Sequence, residues 1–297
     1  MFKANKFPGL PITPYDLSTQ LRKHRYVYWK PCSKINPVNL AGALPALATA
    51  GAAQTDTFFL PGQIPVEVYQ RTAQAALAGA FTTGSGLQIQ GDVDADNEGL
   101  EYCWGGLYNE NPFAHTVGTT LGSFYRIKVK VEDITGLDNT CFGWRKVQAF
   151  DASAAFVTAV DPVYTDVAGI GLMSATGGQV VTLTDLNNSG TPVVTDTAFD
   201  IVDGSIVEFG VNIFGARATY YINGVQVAGG AVVSKDGAGT AITAQTLGQV
   251  PDFDFDSTDI LVPVASIQQD TDQSIVYLQE LEIGRWVSKS KSGRALA

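Results

Sequence analysis

The chain has 297 residues, of which 45% are hydrophobic and only 16% charged, enough apolar material for one large core and an appendage. Its 31 glycines, with many Thr, Val and Ala, exclude a mainly helical or coiled-coil chain and point to strands joined by turns. A net charge of −10 at pH 7 repels phosphates, and no recognised nucleic-acid module is present, so nucleic acid is not expected as a partner.

Residues 1 to 40 carry Pro8, Pro11, Pro14, Pro31 and Pro37, which forbid a long helix. Only Leu17 to Tyr28, behind Asp16 or Ser18 as a cap, is open to a short helix or strand. This arm holds seven Lys/Arg within its first 34 positions against Asp16 alone, and residues 285 to 297 hold four against no acid. Basic ends on an acidic body are drawn to an acidic surface of a partner or a neighbouring copy. Aromatic residues are dense here too, which a solvated tail lacks. Two readings of the arm stand side by side: docking on a partner through Arg22, Lys23, Arg25, Tyr26, Tyr28 and Trp29, or packing along its own domain.

Leu40 to Ala53 is Ala-rich and reads as a short buried helix or an apolar linker. Phe58 to Tyr69 reads as a strand pair around Pro61-Gly62, and Gln70 to Ala80 as a brief helix or a small-residue loop. From Phe81 the chain turns strand-like. Gly84 to Gln90 leads to an acidic turn with Asp92, Asp94, Asp96 and Glu98, and Leu100 to Leu107 is the first strand of the main unit. Ser123 to Ile134 alternates Tyr125, Ile127, Val129 and Val131 against Arg126, Lys128, Lys130 and Glu132, a half-buried strand. Strands follow at Cys141 to Val147, Gly169 to Ser174 and Gln179 to Thr184.

The clearest signal is Ser205 to Gly230. Val207, Phe209, Val211 and Ile213 keep a period of two, then Ala218, Tyr220 and Ile222 continue it to Asn223-Gly224. Asn-Gly favours the two positive φ angles of a type I′ turn, so Tyr220 to Ile222 folds back on Val225 to Val227. Pro251 to Asp259 is acidic, with Asp252, Asp254 and Asp256 on one face of an extended chain, the pattern of a charged edge strand. Ser274 to Trp286 is the last strand. Recurrent short strands with turn residues between them imply an antiparallel sandwich.

The segment ATYYINGVQVA together with the closing strand SIVYLQELEIGRW resembles the concanavalin A-like lectin/glucanase fold over about residues 80 to 287. The resemblance implies an all-β, antiparallel jelly-roll β-sandwich whose last strand returns beside the first strand of the domain. It says little of function, because lectins, glycosidases, adhesion modules and virion proteins share the fold.

Calcium is the one cofactor to weigh, at Asp92, Asp94 and Asp96, since hard cations want several carboxylates from one loop. The EF-hand pattern fails twice there, with Asn97 at the glycine position and Cys103 at the bidentate glutamate position. Cys32, Cys103 and Cys141 fit neither a disulfide framework nor a zinc site. Glu280 and Glu282 share a strand face, but the acidic triplet of the resembled glucanases lacks its third member. No Gly-x-Ser-x-Gly, HExxH or phosphate loop occurs, so no catalytic residue and no enzyme are expected. Trp104, Trp144, Trp286, Tyr220 and Tyr221 are candidates for stacking on sugars, or for packing in the core. The start lacks an apolar leader, and no stretch of about 18 apolar residues spans a bilayer, so the expectation is synthesis in a host cytoplasm and no membrane partner.

The composition and the oppositely charged ends resemble bacteriophage decoration proteins. The leading expectation is a virion structural protein, a capsid decoration (cement) protein anchored by its arm to the major capsid protein or other virion proteins, and a homo-oligomer. The organisation expected is an N-terminal arm and a linker or small subdomain over 1–80, a sandwich over 81–287 and a basic tail over 288–297. The alternative is a carbohydrate-binding, lectin-like module of a head fibre or tail protein with a glycan as partner. A glycoside hydrolase stands third.

Overall fold

A computed structural model describes residues 26–31, 55–60, 64–70, 81–89, 99–134, 137–150, 164–173, 178–186, 193–227, 231–232, 245–246, 253–269 and 275–286. Every regular element among them is a strand. In chain order these are β1 (Val27–Trp29), β2 (Thr55–Leu60), β3 (Ile64–Gln70), β4 (Phe81–Thr82), β5 (Gly86–Gln88), β6 (Gly99–Trp104) and β7 (His115–Thr116). There follow β8 (Gly122–Val131), β9 (Leu137–Lys146), β10 (Asp166–Met173), β11 (Gln179–Leu186), β12 (Val193–Asp200), β13 (Ile206–Phe214) and β14 (Arg217–Ile222). The last are β15 (Val225–Gln226), β16 (Ala231–Val232), β17 (Gln245–Thr246), β18 (Phe253–Asp254), β19 (Ile260–Gln269) and β20 (Val276–Trp286).

The period of two read along β8 is realised in the fold: Tyr125, Ile127, Val129 and Val131 are buried, while Phe124, Arg126, Lys128 and Lys130 point to the other face. β8 sits between β13 and β20, and the first sheet runs β15-β14-β13-β8-β20-β5-β4, all antiparallel. β18 shares the free edge of β14 with β15, and β1 shares that of β20 with β5. The expected hairpin is present. Asn223 and Gly224 hold φ of 49° and 78°, as the two positions of a type I′ loop require. Asn223 also bonds both backbone groups of Glu208, at 2.8 Å each, which locks the loop to β13.

The second sheet runs β12-β11-β10-β9-β19-β6-β3-β2, with β7 paired to β19. Its inner face meets that of the first sheet. Trp144 Nε1 donates to the Val211 carbonyl at 3.0 Å, Trp104 Nε1 donates to the Tyr125 hydroxyl at 3.2 Å, and Phe142 stacks on Phe209. Each fully buried Val, Leu, Ile or Phe of this core contributes about 1.5–3 kcal/mol. The last strand lies between β8 on one side and, on the other, β1 and β5 from the first third of the chain. The chain thus closes on its own beginning, and the fold is the antiparallel concanavalin A-like jelly-roll sandwich expected from the sequence.

Three features differ from the expectation. The strand over Leu100 to Leu107 stops at Trp104, because Gly105 and Gly106 turn the chain at φ of 91° and 90° and the Asn111 amide donates to the Trp104 and Gly106 carbonyls. β19 has no counterpart among the expected strands: both its faces are buried, so no alternation marks it, and Pro263 argues against a central strand. The register accommodates that proline, since β7 reaches Leu261 and β6 begins at Val264, leaving Pro263 between them.

The boundary at residue 80, the third feature, divides no sheet. β2 and β3 form the expected strand pair but extend the second sheet, and β1 pairs with β20 and places Trp29, 3% exposed, in the core. The expectations for Arg22, Lys23 and Arg25, for residues 40–53 and 71–80, for the turn with Asp92, Asp94 and Asp96, and for the tail 288–297 lie outside the described residues.

Candidate functional site: an aromatic row on the first sheet

The second sheet is covered on both sides. Its outer face carries Cys103, Cys141, Val167, Val262 and Val264 beneath Tyr164, and Tyr69 stacks there on Phe150. Arg145 is fixed in this layer, with Nε and Nη2 at 2.8 and 2.7 Å from Glu101 Oε1, and its guanidinium lies over the Tyr164 ring. Such a buried ion pair is a structural element. Among the described residues, no such layer covers the outer face of the first sheet.

On that face a row of rings crosses the strands at one end. Phe214 ends β13, Phe124 lies near the start of β8, Trp286 ends β20, and Tyr26 precedes β1. Ring centroids are 5.7 Å apart for Phe214–Trp286, 5.1 Å for Trp286–Phe124 and 6.1 Å for Phe124–Tyr26. Glycines make the row fit. Gly122 lies between Phe214 and Trp286 in register, and a Cβ there would meet the Trp286 and Phe214 rings at 2.8 and 2.9 Å. Gly284 faces Phe124, and a Cβ there would meet the Phe124 and Tyr26 rings at 2.7 and 2.9 Å. Rings settled over bare glycine backbone lie low on the sheet and need no core to hold them. Phe214 remains 49% exposed and Trp286 44%, so two large rings are half open to water where apolar surface is normally hidden.

Polar groups border the row. Asn212 faces Phe124 on one neighbouring strand and Thr219 on the other, half-buried, with its carboxamide on the outer face. One step further along the strands, Arg126 bridges Glu282 at 2.7 Å and Glu208 at 3.6 Å. The Tyr26 hydroxyl donates to Glu282 at 2.7 Å, and burial with that bond raises its pKa. Lys30 pairs with Glu280 at 3.0 Å. Burial alone would raise the Glu280 carboxyl, but the Lys30 hydrogen bond and charge, with Lys128 and Arg126, hold it below its usual value.

Beneath the row lies His115, fully buried. Its Nε2 donates to the Gly215 carbonyl at 2.7 Å, next to Phe214, so Nδ1 accepts from the Ser123 hydroxyl at 3.0 Å. Ser123 pairs in register with Arg285, the neighbour of Trp286. One neutral imidazole therefore supports the backbone on which both exposed rings stand.

The structure separates the candidates read from the sequence. Tyr26 belongs to the row, Tyr28 is exposed beside Glu282, and Trp29 is a core residue. Trp104, Trp144 and Tyr220 are core residues as well, whereas Trp286 is exposed and Tyr221 is half-buried on the open face. Phe124, Phe214 and Asn212 were not singled out. Phe124 carried a signal, being an aromatic residue on the charged side of a strictly alternating strand. The pairing of Phe214 and Trp286 over Gly122 depends on strand register and has no local sequence mark.

The fold and this face define a class, an all-β jelly-roll sandwich with an aromatic row on its open sheet. No protein-family model matches the sequence and no curated protein does. Among solved structures the chain is similar to the exoplasmic/lumenal domain of VIP36 in its Ca2+/Man3GlcNAc-bound form, at 9% identity and a TM-score of 0.44 over 80% of this chain and 92% of that one. It is similar also to the Emp46p carbohydrate recognition domain, metal-free form, at 7% identity and a TM-score of 0.47 over 73% and 87%. A third likeness is to the carbohydrate-binding module CBM66 from Bacillus subtilis, at 10% and 0.37 over 72% and 92%. At these values no residue, ligand or metal carries over to this chain.

Proposed function

We propose that this chain is a non-catalytic carbohydrate-binding module whose site is the row of Phe214, Trp286, Phe124 and Tyr26. The observation that carries the reading is the pair of half-exposed rings, Phe214 and Trp286, held low over Gly122 beside the Asn212 amide. A sugar ring presents C–H groups on its faces and hydroxyls around its rim. Flat aromatic surface suits the first, and a carboxamide with both donors and an acceptor suits the second.

The glycosidase reading is weakened on the same face. Of the two carboxylates that share a strand face, Glu282 is held by Arg126 and Tyr26, and Glu280 is kept below its usual pKa, the opposite of a general acid. No observation on the described residues favours a virion role. The test is a screen of immobilised glycans with the wild-type protein and with Trp286→Ala. Binding that the substitution abolishes while the thermal transition stays in place supports the reading. Failure of any glycan to bind, together with a change of oligomeric state in Trp286→Ala, would make the row an interface between copies and overturn it.

A further inference from the structure

The row also restricts which glycan can lie on it. We infer that its ligand is a neutral oligosaccharide chain, laid across the strands and held without a divalent cation; this rests on the carbohydrate-binding reading. Length enters first. The four rings stand as two staggered pairs, Phe214 and Trp286 on either side of Gly122 and Phe124 and Tyr26 on either side of Gly284. They span β13, β8, β20 and the start of β1, about 14 Å of sheet, a patch wider than one sugar ring, with Asn212 alongside to fix the register of the chain.

Charge enters second. The Arg126 guanidinium that borders the row is engaged by Glu282 and Glu208, and the Lys30 ammonium by Glu280. An anionic sugar would have to break those pairs, and it would approach a chain of net charge −10. A neutral chain meets neither obstacle.

The third element is the cation. One solved relative in fold is described as Ca2+-bound with its sugar, so the fit of such an ion to this chain can be tested on the side chains present. Calcium takes 6–8 oxygen ligands. Among the described residues no group of three or more His, Cys, Asp or Glu converges. Asp166 and Asp259, which do approach each other, share the Lys146 ammonium at 3.0 and 2.7 Å, so a side-chain cation already stands between them. The carboxylates beside the row are likewise taken by Arg126 and Lys30. Among the described residues no ligand set fits a calcium ion, and stacking with amide hydrogen bonding needs none.

The experiment is isothermal titration of the full chain with the glycan family found by the screen, as a monosaccharide and as oligomers of rising length, each with and without EDTA. A polyuronic acid is the anionic probe. The expected result is affinity rising about tenfold or more from monosaccharide to oligomer, unchanged by EDTA, with no binding of the polyuronate. Asn212→Ala should flatten the length dependence while leaving the fold intact by circular dichroism. Monosaccharide binding as tight as that of oligomers, loss of binding in EDTA, or preference for the polyuronate would each overturn this inference and leave the carbohydrate reading standing. Absence of binding in every arm would overturn both.

Discussion

Thr258 holds a φ of 82°, in the turn between Asp256 and Asp259, where a β-branched side chain crowds its own backbone. Strain of this kind costs on the order of 1–3 kcal/mol and persists only where the surroundings enforce it. Here they do: the Asp259 carbonyl accepts from Val117, and its carboxylate meets Lys146. Thr258→Gly relieves that strain of about 1–3 kcal/mol but adds about 0.5–1 kcal/mol of unfolded-chain entropy, so the denaturant midpoint should hold or rise; a midpoint lowered by the full entropic cost would mean that the turn stores no strain. His115 makes a second statement at this scale. Burial lowers its pKa, and the Arg285 charge that faces it adds to that, against the hydrogen bond to Gly215. The unfolded chain takes up the proton that the buried ring refuses, so the stability this group contributes is whole above pH about 6.5 and is lost as the pH falls below that value. Carboxylates titrate over part of the same range, and the comparison with His115→Gln separates them. The wild type should lose more stability than the variant between pH about 7 and about 5, and parallel curves would contradict the assignment.

Elements were legible where one face of a strand is wet. β8, β13 and β14 alternate because their outer residues meet water, and Asn223-Gly224 marks its own turn. β19 was illegible because both of its faces are buried, and β1 because three residues among prolines carry no period. Yet β1 ties the arm to the last strand. Removal of residues 1–25 should leave the thermal transition in place, whereas removal through residue 40 takes away Val27 and Trp29 and uncovers the edge of β20. Loss of the buried tryptophan alone costs about 3–5 kcal/mol. Equal transition temperatures for the two truncations would show that β1 adds nothing to the core.

At the scale of the molecule, the sandwich has one covered sheet and one open sheet, and this asymmetry is what places the site. It was legible only in part. The polar outer faces of β8 and β20 announced a solvated surface, but the covering of the second sheet by Tyr164 and Phe150 joins positions far apart in the chain. The aromatic row arises from register across three strands, so Trp286 could be named as a candidate but not chosen over Trp104 or Trp144, which differ from it only in the face they occupy.

That difference supplies the most direct test. The chain has four tryptophans, and only Trp286 stands in the open, while Trp29, Trp104 and Trp144 are buried. In a proton–nitrogen correlation spectrum each indole N–H gives its own signal, which Trp→Phe substitutions assign. Titration with a glycan that binds should move the Trp286 indole signal progressively and leave the other three in place. Binding that shifts backbone signals elsewhere while the Trp286 indole stays fixed would contradict the assignment of the site to this face.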